Sequence, residues 1–208
     1  GEYSEKYSKP NSIYLYKDPK DEDSERRLRR RIMLNDTWEE DYKEYVENNP
    51  MTLCSGIAYR GMKNRLQFAQ QMNALVFDLD SVGKSELMNL FSRIDKKPAL
   101  RTLPQPTFIV MSGTGLHIYY VFEEPIDLYP NIKLQMKSLK YDLTFRMWDY
   151  GGTTREKQIQ YQSINQGFRM VGSKNDKYDL PIKAFKTGDR VTLEYMNQYA
   201  DEERNRVD

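Results

Sequence analysis

The chain is poor in the residues that most often hold metals and cross-links. Its 208 residues contain one cysteine, Cys54, and one histidine, His117. A single cysteine excludes an intrachain disulfide framework and a cysteine-rich zinc site, and a single histidine excludes a His-rich metal centre. Carboxylates are the remaining ligands, which favour hard ions such as magnesium or manganese. An excess of one charge is missing too. Lys and Arg number 32 and Asp and Glu 31, so affinity for nucleic acid has to come from local clustering. No apolar run approaches membrane-spanning length and no signal peptide is visible, which reads as cytoplasmic. The hydrophobic fraction is only 38%, but 16 Tyr, 8 Phe and 2 Trp supply enough aromatic surface for one sizeable core. The opening Gly1 and the charged close DEERNRVD read as a piece of a longer protein.

What is present is organised around two apolar runs. NALVFDLD reads as a strand that ends in Asp78 and Asp80. PTFIVMS and LHIYYVF, joined by a Gly-Thr-Gly segment, read as an antiparallel hairpin carrying His117. RLQFAQQM reads as a helical lead-in to the first strand, and SELMNLFSRI as a helix after it. The pattern from Asn131 to Trp148 is a long amphipathic helix, broken by GGTT. FRMVGS, IKAFKTG and RVTLEYM read as short strands. Near the start, residues 1–24 are polar, tyrosine-rich and expected to be partly disordered. SERRLRRR has the cap and acidic first turn of a helix, and NDTWEEDYKEYVENNP reads as another. The order strand, helix, hairpin, helix, strand predicts an α+β fold, with helices on one face of a mostly antiparallel sheet and the other face free to host a site.

Side chains two apart on a strand leave the same face. Asp78 and Asp80 therefore stand together and repel, a cost that a divalent cation removes. Paired ions on paired carboxylates are common in phosphoryl transfer. In SGTGLHIYY, the small residues Ser112, Gly113 and Gly115 allow backbone N–H groups near an anion. Leu116 and Ile118 point to one face and His117 to the other, where it would bind the β- or γ-phosphate of a nucleotide. GFRMVGSKND brings Arg169 and Lys174, a bidentate clamp and a point charge for phosphate. DSVGKS imitates the end of a P-loop, but the motif's first glycine falls on Asp78, where an acid would repel phosphate. Gly83 is then a loop glycine, with Ser85 capping the next helix. The arginines Arg26, Arg27, Arg29, Arg30 and Arg31 are a basic block that either faces solvent or grips a nucleic-acid backbone.

Together these motifs resemble the archaeo-eukaryotic primase superfamily, and most of all the primase-polymerase domains of plasmid, phage and other mobile-element replication proteins. VFDLD matches the family's apolar strand ending in Asp-x-Asp/Glu. SGTGLHIYY matches its small residue-x-His strand, with Gly115 and His117 at those positions. FRMVGSKN is similar to the family's Arg-x-x-Gly-Ser/Thr-x-Asn loop. The likeness runs over roughly residues 55–195.

The resemblance implies an RRM-like catalytic module over residues 56–208 and a small N-terminal α/β module, here the accessory segment 1–55. It implies template-directed synthesis of primers or longer strands on single-stranded DNA, from nucleoside triphosphates, with Mg2+ or Mn2+. A helicase domain or subunit is a further partner of such proteins. Asp78 and Asp80 become metal ligands. His117 binds the triphosphate, with Ser112, Gly113, Gly115, Arg169 and Lys174 around the nucleotide. The family's third acid has no clean counterpart. Asp142 lies mid-helix, and Asp149, at the helix end, is the expected third ligand. Two other readings compete: a replication module that binds DNA or nucleotide with little catalysis, and a nucleotide-sugar glycosyltransferase, which explains the acids but not SGTGLH.

Overall fold

A computed structural model describes residues 8–9, 11–16, 29–33, 51–60, 65–95, 97–175 and 180–208. Its longest strands are β6 (Ala69–Leu79) and β8 (Leu116–Asp127), which pair antiparallel and form the centre of a six-stranded sheet. Around them lie β1 (Ser8–Lys9), β5 (Ile57–Arg60), β7 (Phe108–Met111) and β12 (Lys183–Lys186), in the order β1-β5-β6-β8-β7-β12. Every neighbouring pair is antiparallel. The β7–β8 hairpin is the one that the sequence predicts.

The alternation of side chains sorts this sheet into two faces. Leu75, Phe77 and Leu79 of β6, and Leu116, Ile118, Tyr120 and Phe122 of β8, point into the main core. Helices α1 (Lys84–Ser92) and α2 (Pro130–Met147) cover that face. From α2, Met136, Leu139, Leu143 and Met147 enter the core at helical spacing, each buried almost completely. Burial of this kind is worth roughly 1.5–3 kcal/mol per side chain. Pro130 opens α2 where a missing N–H costs nothing, and Gly151 takes a positive φ in the turn beyond its end. Leu134 and Phe145, part of the sequence's apolar pattern, face outward instead.

On the other face, Ala74 and Val76 of β6 meet Phe168, with Tyr119 and Val121 of β8 packed beside them. Phe168 belongs to β9 (Phe168–Arg169), an edge of a four-stranded sheet. The other members are β2 (Asn11–Tyr16), β3 (Arg29–Met33) and β4 (Met51–Cys54), and the order is β3-β2-β4-β9. The ladders cross the division drawn at residue 55: β1 pairs with β5, and β4 pairs with β9 through Leu53↔Arg169 and Cys54↔Phe168. A two-stranded ribbon of β10 (Lys174–Asn175) and β11 (Leu180–Pro181) follows.

Local expectations differ from the structure at several places. Leu66–Phe68 form a single 3-10 turn and Ala69 already begins β6, because Ala69 and Met72 are needed in the core. Arg29 to Arg31 lie on β3 and not on a helix, since pairing with β2 outweighs their helix propensity. RVTLEYM is a bridge at Val191 followed by helix α3 (Leu193–Asn197), capped by Thr192, whose side chain accepts from the Tyr195 N–H. Ser85 lies inside α1 and gives its hydroxyl to Glu86, leaving Gly83 at the cap. The polar N-terminal stretch carries β1 and β2, while the expected helix in NDTWEEDYKEYVENNP lies outside the described residues.

Candidate active site

Asp78 and His117 are direct partners in the β6–β8 ladder, and both leave the face opposite the helices. His117 Nε2 stands 3.6 Å from Asp78 Oδ1, too far for a hydrogen bond. The Phe168 ring lies edge-on to the imidazole, with centroids 5.1 Å apart. Arg169, next in the chain, is close enough for its charge to act on both Asp78 and His117. Three side-chain atoms here are buried with no hydrogen-bond partner: Asp78 Oδ1, His117 Nδ1 and Arg169 Nη1. Among the described residues, Gln162 Oε1 is the only other. Unpaired buried polar atoms cost free energy, so three in one place mark a site built for something else to fill.

The electrostatics agree. Burial pushes Asp78 up to about 7, and the neighbouring Asp80 carboxylate adds to the rise, while Lys140 and Arg169 oppose it. Asp80 is raised by burial and then by Glu156. His117 is pushed down to about 4 by burial, with Arg169 contributing, so the imidazole is neutral at pH 7. Carboxylates held together at a cost, beside a guanidinium and a neutral imidazole, suit a ligand that carries both cations and anionic oxygens.

Supporting contacts fix the end of β6. Gly115 packs so tightly on β6 that a Cβ there would overlap the Leu79 carbonyl, so its small size serves strand packing. Gly113 takes a positive φ in the turn, and the Ser112 N–H donates to the Gly115 carbonyl. The Thr154 hydroxyl donates to the Asp80 carbonyl at 2.6 Å, and the Arg155 N–H donates to the Ser81 carbonyl at 3.0 Å. The Ser81 hydroxyl donates to Glu156 Oε1 at 2.7 Å. The GGTT segment is thus a clasp on the strand end, and it delivers Glu156 beside Asp80.

Asp149, the third acid expected from the sequence, is engaged elsewhere. Its carboxylate is ion-paired with Arg93, and its carbonyl accepts the N–H groups of Gly152 and Thr153. Asp142 accepts from Asn205 and from the Glu202 N–H on the far side of α2. Glu156 is not visible from sequence because only the clasp brings it near. Sequence reasoning misses Lys140 as well, although a lysine within the inward stripe of α2 is a readable signal. Lys174 lies on β10, past the turn at Gly172. Arg29, Arg30 and Arg31 occupy one edge of the four-stranded sheet and Arg169 the other. Three strand spacings separate them, roughly 14 Å. Arg26 and Arg27 lie outside the described residues.

Among the described residues, no three His, Cys, Asp or Glu side chains form a ready metal cage. Two neighbouring carboxylates, Asp78 with a buried, unpartnered oxygen, still fit a magnesium-type ion, which commonly takes one or two carboxylates and completes its shell with water and substrate phosphate. No helix among the described residues is long and apolar enough to cross a membrane.

No family model matches the chain, and no curated protein matches it by sequence. Among solved structures it is similar to the AEP domain of the cyanophage S-2L primase-polymerase (PrimPol). The TM-score is 0.61 at 15% identity, over 94% of this chain and 89% of that one. The chain therefore shares the α+β fold of that domain, with helices on one face of an antiparallel sheet.

Proposed function

We propose that the chain is a DNA-dependent nucleotidyltransferase that makes primers, or extends them, for replication of a mobile genetic element. The observation that carries this reading is the grouping of three buried, unpartnered polar atoms, Asp78 Oδ1, His117 Nδ1 and Arg169 Nη1, where β9 lies against the face of β6 and β8 away from the helices. A metal-bound triphosphate satisfies all three at once. The primase-type fold supports the same reading.

In this reading Asp78 and Asp80 hold the divalent ions, Mg2+ or Mn2+. Once bound, the ions supply a lowered pKa at the attacking 3′-hydroxyl and neutralise the pyrophosphate that leaves. Glu156, rather than Asp149, is the third acid; it acts on Asp80 through the Ser81 loop. Arg169 clamps the triphosphate, and neutral His117 gives it a hydrogen bond. The new bond joins O3′ to the α-phosphorus as the bond to the β-phosphate oxygen breaks. The protein's part is placement and neutralisation. Lys174 is a further basic contact to the nucleotide, and Arg29 to Arg31, on the far edge of the four-stranded sheet from Arg169, meet the backbone of the single-stranded template.

One observation favours a second reading, a DNA- or nucleotide-binding replication module with little catalysis: the absence of a third carboxylate in direct contact with the pair, among the described residues. The antiparallel sheet gives the nucleotide-sugar reading no support. Incorporation of nucleotides on primed and unprimed single-stranded templates, with Mg2+ and with Mn2+, separates these readings. Extension of either template supports an enzyme. Tight binding of DNA and triphosphate with no product supports the binding module.

A further inference from the structure

Lys140 is a lysine in the wrong place for a solvated surface. It sits mid-way along α2 on the inward stripe, 1% exposed, among Met136, Leu139 and Leu143. A lysine taken out of water costs several kcal/mol unless partners compensate. Among the described residues it has no carboxylate within ion-pair distance. Its Nζ donates to the Ser163 carbonyl at 3.0 Å. The ring of Phe168 lies 5.6 Å away and that of Phe77 5.9 Å away, within cation–π range. A methionine or leucine would fill the same volume at no electrostatic cost, so core packing alone does not explain an amine here.

Its partners do explain it. Ser163 and Phe168 bracket the strap that runs from the clasp to β9. Phe168 touches His117, and the next residue is Arg169. We propose that Lys140 is a positioning residue: by holding the Ser163 carbonyl and the Phe168 ring from inside the core, it sets where Arg169 and His117 stand on the sheet face. Burial pulls Lys140 down to about 7 and the Asp78 carboxylate works against that fall, so the amine lies close enough to the site to sense it.

The test uses the whole chain and does not depend on any activity. His117 is the only histidine, so its ring nitrogens give unambiguous signals in 15N-histidine-labelled protein. In Lys140→Met the ring signals should move away from wild type. In Lys140→Arg, which keeps a cationic donor, they should return toward it. Lys140→Gln serves if the methionine variant does not melt cooperatively. Signals unchanged in a folded Met or Gln variant overturn the proposal, because a merely stabilising lysine would lower the melting temperature and leave the imidazole where it was. A second arm rests on the nucleotidyltransferase reading. By titration with a nucleoside triphosphate, Lys140→Met should weaken binding about fivefold, and it should add nothing to Arg169→Ala. Additive losses overturn the proposal. A wild-type chain that binds no triphosphate overturns the nucleotide reading instead, and the 15N signals still decide the role of Lys140.

Discussion

Asp78 and His117 oppose each other across the central ladder, Oδ1 to Nε2 at 3.6 Å, and neither side chain closes a hydrogen bond with the other. One is a carboxyl raised to about 7 and the other an imidazole lowered to about 4. Near neutral pH the pair is a carboxyl that resists ionisation facing a neutral imidazole, both short of partners.

The first prediction is catalytic. Asp78→Ala and Asp80→Ala should each abolish nucleotide incorporation while far-UV circular dichroism stays native. Removing one member relieves the repulsion between the two carboxylates and leaves the helix-side core untouched. Full activity in either variant would reject the metal assignment.

A pH dependence follows from the same pair. The folded state raises Asp78 from 3.8 to about 7, so it binds that proton more tightly than the unfolded chain. The associated stability is complete below about pH 4 and is lost as pH rises through 7. Asn cannot ionise. In metal-free protein, Asp78→Asn should therefore match wild type near pH 4, then gain on it up to a plateau above pH 7, by at most about 4 kcal/mol. Chemical denaturation at several pH values, with chelator present, checks the sign. A gap that shrinks with rising pH would contradict the burial argument.

His117→Ala should weaken nucleotide binding about tenfold to a hundredfold, the loss of one hydrogen bond to a charged group, roughly 1.5–3 kcal/mol. Equilibrium titration with a non-hydrolysable triphosphate measures it. Unchanged affinity would make the imidazole a structural filler between Asp78 and Phe168.

Glu156 and Asp149 should separate cleanly. Glu156→Gln should weaken Mn2+ binding about tenfold, as loss of a residue just behind a metal ligand commonly does. Asp149→Asn should leave Mn2+ affinity alone and lower stability by up to about 1 kcal/mol, through loss of the half-exposed pair with Arg93. The reverse pattern would restore Asp149 as the third ligand.

Replacing Arg29, Arg30 and Arg31 with glutamine should weaken DNA binding about equally for all sequences. The salt dependence should flatten by roughly 0.7–0.9 for each DNA phosphate that the chain no longer neutralises. Substitution is the right tool here, because deleting the N-terminal segment would remove β2 and β3 along with the charges. An unchanged salt slope would place the block in solvent.

The parts of the site that are legible in the sequence are those carried on single strands. Period-two alternation puts Asp78 and Asp80 on one face and sets His117 against Leu116 and Ile118, and the hairpin supplies the pairing. What stays hidden depends on contacts between distant segments. Glu156 reaches Asp80 only through the Thr154 and Ser81 hydrogen bonds, which no local pattern encodes. Arg29 to Arg31 read as helical because propensity is local, while their ladder with β2 is tertiary. Gly115 is readable as a small residue, but its reason, contact with the Leu79 carbonyl, is not.

The ladder Leu53↔Arg169 also bears on how the site comes into being. Its two strands are remote in the sequence, so their pairing carries a large loop-closure cost, and such long-range pairings fold slowly. During synthesis, Asp80 precedes Arg169 by an interval on the order of 5–20 s. Over that interval the acids exist without the arginine that balances them. The arginine side of the site is thus made only after both acids have left the ribosome.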